Sequence, residues 1–222
     1  LTIYKANMII PQVLENKTES GSLEIPNVCP VCGAKTEREK DTADIKCTSP
    51  NCPAQLERHM INFVGRDAMD IKGFGATYIM ELVRLGYLKD IADIYDLKQH
   101  REELIEQGII GKEKNTDKLL DAIEKSKEND AYKLLTGLGI PNVGKAAAKT
   151  ILKHFGSIEA LMQADMESLQ QVADVGEVTA LCIRNYFQDE NNCKIIERLK
   201  EAGVNMEMAE SGSEDGRFDG LT

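Results

Sequence analysis

Between Gln55 and Met206 the apolar residues recur at helical spacing, interrupted by short glycine-bearing turns. Ile79, Leu82, Val83 and Leu85 with Tyr87 mark one expected buried face, and Leu119, Leu120 and Ile123 with Leu134 and Leu135 mark the next. Leu161, Leu169, Val172, Leu181, Ile183 and Phe187 follow, then Ile195, Ile196 and Leu199, with Gly203 expected to close the last helix. Ahead of this region the pattern changes. Leu1–Lys5 and Ile9–Val13 are β-rich, and strands this short do not stand alone. They read as the last strands of a sheet whose other strands are missing. Glu15–Glu24 is polar and reads as a linker or turn. At the other end Ser211–Gly216 has a linker's composition, and Phe218–Thr222 reads as the opening of a further strand-bearing domain.

The turns carry the first candidate chemistry. In Leu138–Phe155 a helix is expected to run into a tight turn at Ile140–Gly144, with Gly144 taking positive φ and a second helix starting at Lys145. Backbone N–H groups at such a turn form a nest suited to an oxyanion such as a phosphate. From Ala131 to Phe155 there is no Asp or Glu, while Lys133, Lys145, Lys149 and Lys153 are present. Comparable turns occur at Gly73-Phe74-Gly75 and Asp174-Val175-Gly176, with a weaker one at Ile110-Gly111-Lys112. Four residues beyond each turn stands a residue expected to face the partner helix: Ile79, Thr116, Ala148 and Ala180. The repeat predicts four helix-hairpin-helix units.

Cys29, Cys32, Cys47 and Cys52 are spaced C-x2-C-x14-C-x4-C, two knuckles joined by a short ribbon. Four soft ligands placed this way suit tetrahedral zinc, and four thiolates leave no position for water, which predicts a structural ion. The alternatives are unligated thiols or a redox pair. His59 reads as a packed or solvated histidine, and Cys182 and Cys193 as free thiols.

Composition narrows the function classes. The chain has 222 residues, 42% hydrophobic, 5% aromatic and without Trp, so its core must be aliphatic. A net charge of −10 excludes coating of nucleic acid by bulk charge but leaves room for a local contact through amides and a few lysines. No apolar run approaches the roughly 20 residues that span a bilayer, and a cytoplasmic protein is expected. Two decoys drop out. Gly139–Ala146 resembles a P-loop, but Ala146 lacks the hydroxyl that holds magnesium and Tyr132–Leu138 reads as helix where a strand is required. Arg217-Phe218-Asp219-Gly220 resembles a nucleotidyl-transferase K-x-D-G motif, but arginine stays protonated and cannot attack phosphorus. The three histidines, His59, His100 and His154, pair with no Ser or Cys at a nucleophilic spacing.

Assembled, these residues resemble the central and C-terminal part of a bacterial NAD-dependent DNA ligase over essentially the whole chain. The resemblance rests on Ile9–Val13, on the finger ending Cys52-Pro53-Ala54-Gln55, on Phe63–Gly75 and on Leu138–Gly144. His154–Ser157, Ala202–Met206 and Phe218–Thr222 complete it. It implies an enzyme that seals 3′-OH/5′-phosphate nicks in duplex DNA in replication and repair. NAD⁺ adenylates a lysine, AMP moves to the DNA 5′-phosphate, the 3′-hydroxyl attacks, and magnesium assists. The family pattern puts that lysine and the NAD pocket upstream of Leu1. No catalytic residue is therefore expected here, and the segment by itself should be inactive. What remains would clamp nicked duplex without reading its sequence, as a monomer, while the finger fixes the hairpins to the OB domain. The chain departs from the family pattern at Lys112, in place of the second hairpin's last Gly, and at Asp174, in place of the fourth's first.

The expected fold is mainly α: a bundle of four helix-hairpin-helix units preceded by a small four-cysteine zinc finger and the last strands of an OB-fold. The expected boundaries are 1–17 for the OB strands, 18–28 for a linker, 29–54 for the finger and 55–206 for the hairpins. Residues 207–222 would form an acidic linker and the start of a BRCT domain. DNA contacts are expected at Gly73, Phe74, Gly75, Gly111, Lys112, Pro141, Asn142, Val143, Gly144, Lys145, Lys149, Val175 and Gly176, with the first and third hairpins foremost. Two other readings stay open: a scaffold that docks protein partners, and a hairpin-built subunit of another repair complex.

Overall fold

The structure is a computed structural model that describes residues 2–6, 10–19, 21, 26–38, 44–49 and 52–209. The expected acidic tail beyond residue 209, the Arg217–Gly220 run and the Phe218–Thr222 segment lie outside the described residues, as do Leu1, Ile9 and parts of the expected linker. The chain divides into two units, Leu1–Cys52 and Pro53–Thr222.

In the first unit β1 (Thr2–Ala6) pairs antiparallel with β2 (Ile10–Glu15), with Ile3 opposite Val13 and Tyr4 opposite Gln12. Ile3, Tyr4, Val13 and Leu14 are all exposed, so neither face of this ribbon is covered. A second ribbon, β3 (Thr36–Arg38) with β4 (Ile45–Cys47), links the two cysteine knuckles. Its hydrogen bonding starts ahead of the expected finger boundary. Val28 bridges Lys35, the Thr36 N–H donates to the Asn27 carbonyl, and the Thr36 hydroxyl donates to the Pro26 carbonyl.

The second unit is mainly α. Its helices are α1 (Pro53–Val64), α2 (Ala76–Arg84), α3 (Asp93–Asp96), α4 (Arg101–Glu106), α5 (Glu113–Ser126) and α6 (Ala131–Gly137). After these come α7 (Lys145–Phe155), α8 (Ile158–Met162), α9 (Met166–Gln170), α10 (Glu177–Gln188) and α11 (Glu190–Glu201), with a 3-10 turn over Leu97–His100. The four expected hairpins are α1/α2, α4/α5, α6/α7 and α9/α10. Pro53 opens α1, where its missing N–H costs nothing. The helix α6 stands before Gly139, so the P-loop decoy has a helix where it would need a strand.

One core runs through the unit. Met60, Phe63, Ile79, Leu82, Leu134, Ile151, Leu152, Leu169, Ile183 and Leu199 are all fully buried, and most of its members are aliphatic. Ile79, Thr116, Ala148 and Ala180 each have zero exposure. They face inward as expected, because each lies one turn inside the helix that follows its hairpin. Two expected core residues are exposed: Leu85 at 39% and Leu181 at 51%. Leu85 is already the C-cap of α2, and the buried stripe of α10 runs through Ala180 and Ile183, beside Leu181.

Gly203, with φ of 86°, follows the C-cap of α11 as expected. Beyond it the chain returns to the bundle: Ile158 N–H donates to the Met206 carbonyl and Ala131 N–H to that of Glu207. Helix α11 is tied down by Arg198, which reaches Asp90, Asp93 and Asp96 at 2.7, 2.6 and 2.9 Å.

Candidate metal centre and hairpin turns

The first knuckle closes as Gly33 N–H donates to the Cys29 carbonyl (2.9 Å) and Cys29 N–H to that of Ala34 (2.7 Å). Gly33, at φ of 72°, makes this turn possible. The β3/β4 ribbon then brings Cys47 opposite Thr36, and Cys52 N–H donates to the Ser49 carbonyl at 3.3 Å. The sulfurs of Cys29, Cys32, Cys47 and Cys52 all lie within 4.8 Å of one another. Cys29 and Cys52 are 3.8 Å apart, Cys32 and Cys47 3.4 Å. Zinc–sulfur bonds of about 2.3 Å arranged tetrahedrally put sulfurs about 3.8 Å apart, so the set fits one zinc ion and is too open for disulfides.

Backbone N–H groups of Cys32 and Val31 draw the Cys29 thiol down to about 6. Cys47, although the Ser49 N–H lowers it, is pushed up to about 12 by burial and by the neighbouring sulfurs. Four thiolates this close require a cation among them, and with every coordination position taken by protein sulfur the ion is structural. His59 lies in the other unit, on α1. Its Nε2 donates to the Gly137 carbonyl at 3.2 Å, and burial lowers its pKa. It is a packed histidine, as its sequence context suggests.

The hairpin turns share a plan that corrects one expectation. Gly144 is extended, at φ −84° and ψ 178°, and is the N-cap of α7. The left-handed residue stands two positions earlier, at Asn142 (φ 66°). The first and fourth turns repeat this, with Gly73 (φ 84°) and Asp174 (φ 64°) before the extended N-caps Gly75 and Gly176. Between the two positions an apolar residue points inward: Phe74, Val143 and Val175 are buried, and their N–H groups close turns on the carbonyls of Ile71, Ile140 and Val172. Only the main chain of these three can face a ligand. The second turn differs. Gly111 (φ 108°) stands in the place of the buried residue, and the N-cap is Lys112.

Each N-cap is exposed, and among the described residues no side chain caps the first turn of α2, α5, α7 or α10. Elsewhere the chain does supply caps: Ser157, Asp165 and Asp189 accept from first-turn N–H groups of α8, α9 and α11. The hairpin helices therefore present N–H donors that the protein's own side chains leave for another acceptor. Helices α2 and α7 have no acid in the first turn, whereas α5 has Glu113 and α10 has Glu177. Glu113 is engaged by Arg101, 3.0 Å away, whose hydrogen bonds also hold Asp117 below its ordinary pKa.

The turns are neighbours. Lys145 Nζ, at the start of α7, is 3.0 Å from Asp67 in the loop between α1 and α2. Asn142 Nδ2 lies 3.8 Å from Cys182 Sγ on α10. Lys72 and Gly73 of the first turn share a cleft with Ile110 and Asn115 of the second. Lys112, Pro141, Asn142 and Lys145 are exposed, as is Lys149, whose Nζ sits 5.9 Å from the centre of the Tyr132 ring. Lys72 and Lys118, on the wall of the cleft, were missed in the sequence. For Lys118 the sequence signal is that Lys114, Lys118 and Lys125 share one face of α5; Lys72, next to the first turn, has no such pattern.

Comparison with known proteins agrees with both halves. Residues 28–54 match the NAD-dependent DNA ligase C4 zinc finger domain, and residues 133–196, which span the third and fourth turns, match the helix-hairpin-helix motif. The chain is 46% identical over 208 residues to a DNA ligase of Clostridium kluyveri, covering 91% of this chain and 31% of that protein. It is 41% identical over 214 residues to one from Fusobacterium nucleatum, covering 94% of this chain and 31% of the relative. A DNA ligase of Thermoanaerobacter sp. (strain X514) is 41% identical over 225 residues, with 99% and 34% covered. The chain thus spans about a third of the length of the curated relatives it matches.

Proposed function

From the premise that this chain belongs to the NAD-dependent DNA ligase family, we propose that it is the part that grips nicked duplex DNA while 3′-OH/5′-phosphate ends are joined. One observation carries the reading. The exposed N-termini of α2 and α7 follow glycine N-caps, lack a capping side chain and carry no first-turn acid. Such termini suit phosphate oxygens, and they read no base.

In this reading the main chain of Gly73, Phe74, Gly75, Pro141, Asn142, Val143 and Gly144 meets the backbone of the duplex, with Lys145 and Lys149 adding charge. Gly111, Lys112, Val175 and Gly176 contribute less, because Glu113, Asp174 and Glu177 stand beside them. Lys72 and Lys118 extend the surface along the cleft. Cys29, Cys32, Cys47 and Cys52 hold zinc, which cross-links the finger and takes no part in the reaction. The exposed strands β1 and β2 are the end of an OB-fold whose remaining strands cover them; Glu207 and Met208 still bond to the bundle, and we assign the acidic linker toward a BRCT domain to the chain beyond them. NAD and magnesium serve the whole enzyme, and we assign their binding and the adenylated lysine to residues outside this chain. Alone the segment is a DNA-binding monomer without ligase activity, and the enzyme works in the cytoplasm. Among the described residues no helix is long and apolar enough to cross a membrane.

The test is anisotropy of labelled nicked duplex titrated with the 222-residue chain at several salt concentrations. Binding should be indifferent to sequence and fall steeply with salt. A protein that leaves the duplex free at low salt, or binds equally at low and high salt, would refute the clamp and favour the scaffold reading.

A further inference from the structure

Asp67 and Lys145 are both exposed, at 75% and 51% of their side chains, yet Lys145 Nζ donates to Asp67 Oδ1 at 3.0 Å. They are 78 residues apart in sequence and belong to different hairpins. Lys145 is the first residue of α7, directly after the extended N-cap Gly144. The ammonium that the carboxylate holds thus belongs to the first residue of a helix whose dipole favours negative charge and which no side chain among the described residues caps. It offers the lysine an anionic oxygen, the same chemistry that a phosphodiester would offer. An exposed pair of this kind contributes little to folding, so the bundle does not depend on it.

We propose that Asp67 is an internal stand-in for phosphate: it holds Lys145 in the free protein and must be exchanged for a backbone phosphate when the duplex binds. This rests on the clamp reading above. The exchange neither makes nor breaks a covalent bond. The lysine leaves one anion for another, and the released Asp67 takes up a cation from solution. A clamp so arranged holds weakly wherever only one hairpin is engaged, because its best-placed lysine is already neutralised. Asp67 thereby trades affinity for release.

Asp67→Asn keeps the shape and removes the charge, and Asp67→Ser serves as a second variant. Both should bind nicked duplex about two- to fivefold tighter than the unaltered chain, the range of one exposed ion pair. The slope of log affinity against log salt should also steepen by about 0.9, since one more phosphate is neutralised without a compensating cation. In a Lys145→Met background both effects should disappear. A role for Asp67 in merely positioning the lysine predicts the opposite sign: weaker binding in Asp67→Asn with an unchanged or shallower slope. That outcome, or no change at all, overturns the exchange and leaves the clamp standing. If neither the unaltered chain nor Asp67→Asn binds duplex at low salt, the clamp fails and the exchange fails with it.

Discussion

A Cβ placed on Gly137 would lie 2.8 Å from Cδ2 of Phe63 and 3.4 Å from the Cβ of Ala68. The third hairpin's α6 thus lies against the first hairpin's α1 at a distance only a hydrogen side chain allows. Phe63 is fully buried and stands edge-on to Tyr95, with ring centroids 6.3 Å apart, so it has little freedom to move aside. Gly137→Ala should gain about 1 kcal/mol in helix propensity yet lose about 1–3 kcal/mol to overpacking, for a net fall in thermal stability. A melting temperature that rises in this variant would show that the two helices are not in such close contact.

The two glycines of a hairpin should respond differently. Gly73 has φ of 84°, which costs a side-chain-bearing residue about 1–2 kcal/mol, so Gly73→Ala should lower stability by that amount. Gly144 is extended and a Cβ there meets nothing within 4 Å, so Gly144→Ala should melt close to the unaltered protein. The added methyl projects into open space at the exposed start of α7 and hinders a phosphate approaching the N–H donors there, so duplex affinity should nonetheless fall roughly tenfold, equivalent to one hydrogen bond to a charged group at about 1.5 kcal/mol. Circular dichroism melts and duplex titrations on the same preparations separate the two effects.

Burial, only partly offset by hydrogen bonding to the Gly137 and Leu138 carbonyls, lowers the pKa of His59. The unfolded chain then takes up a proton near its ordinary value, about pH 6.5, while the folded chain does not. This contribution is fully present above that pH and is lost as pH falls toward the lower folded value. Melting temperature should therefore drop on acidification through the ordinary histidine range, by an amount that His59→Gln, which retains an N–H donor, removes. Parallel pH profiles for the two proteins would contradict this.

Thr116 occupies in the second hairpin the fully buried place that Ile79, Ala148 and Ala180 fill in the others, and its hydroxyl finds no partner among the described residues. Thr116→Val matches the shape and removes the unpaired group. It should stabilise the protein by about 1 kcal/mol in urea titrations, and a loss of stability would mean that the hydroxyl is bonded after all.

Metal analysis of protein prepared without chelator should give one zinc per chain, and Cys47→Ser should reduce it. Acid should also release the ion, because protons compete for the four thiolates. Chelation is expected to unfold the finger and leave helicity in the second unit nearly intact, which far-ultraviolet circular dichroism can follow. A marked loss of helicity on chelation would mean that the bundle needs the ion.

Spacing alone made the four cysteines legible, because tetrahedral coordination demands paired ligands a short ribbon apart. It also exposed the turns and the inward residues one helical turn past each of them, since both follow from local backbone geometry. Local pattern misled at Gly144: the sequence shows that a turn needs a left-handed residue but not which position of the turn adopts it, and Asn142, two residues earlier, does. Leu85 and Leu181 were misplaced for a related reason, in that periodicity gives a stripe but not where it ends or how wide it is. The acid-free run from Ala131 to Phe155 was legible as a run, but in space Asp67 fills the gap beside Lys145. Coordination and turn chemistry act between residues close in the chain, so the sequence could state them. The Asp67–Lys145 pair and the void that Phe63 fills beside Gly137 join distant segments, and only the packing of α1 against α6 decides them.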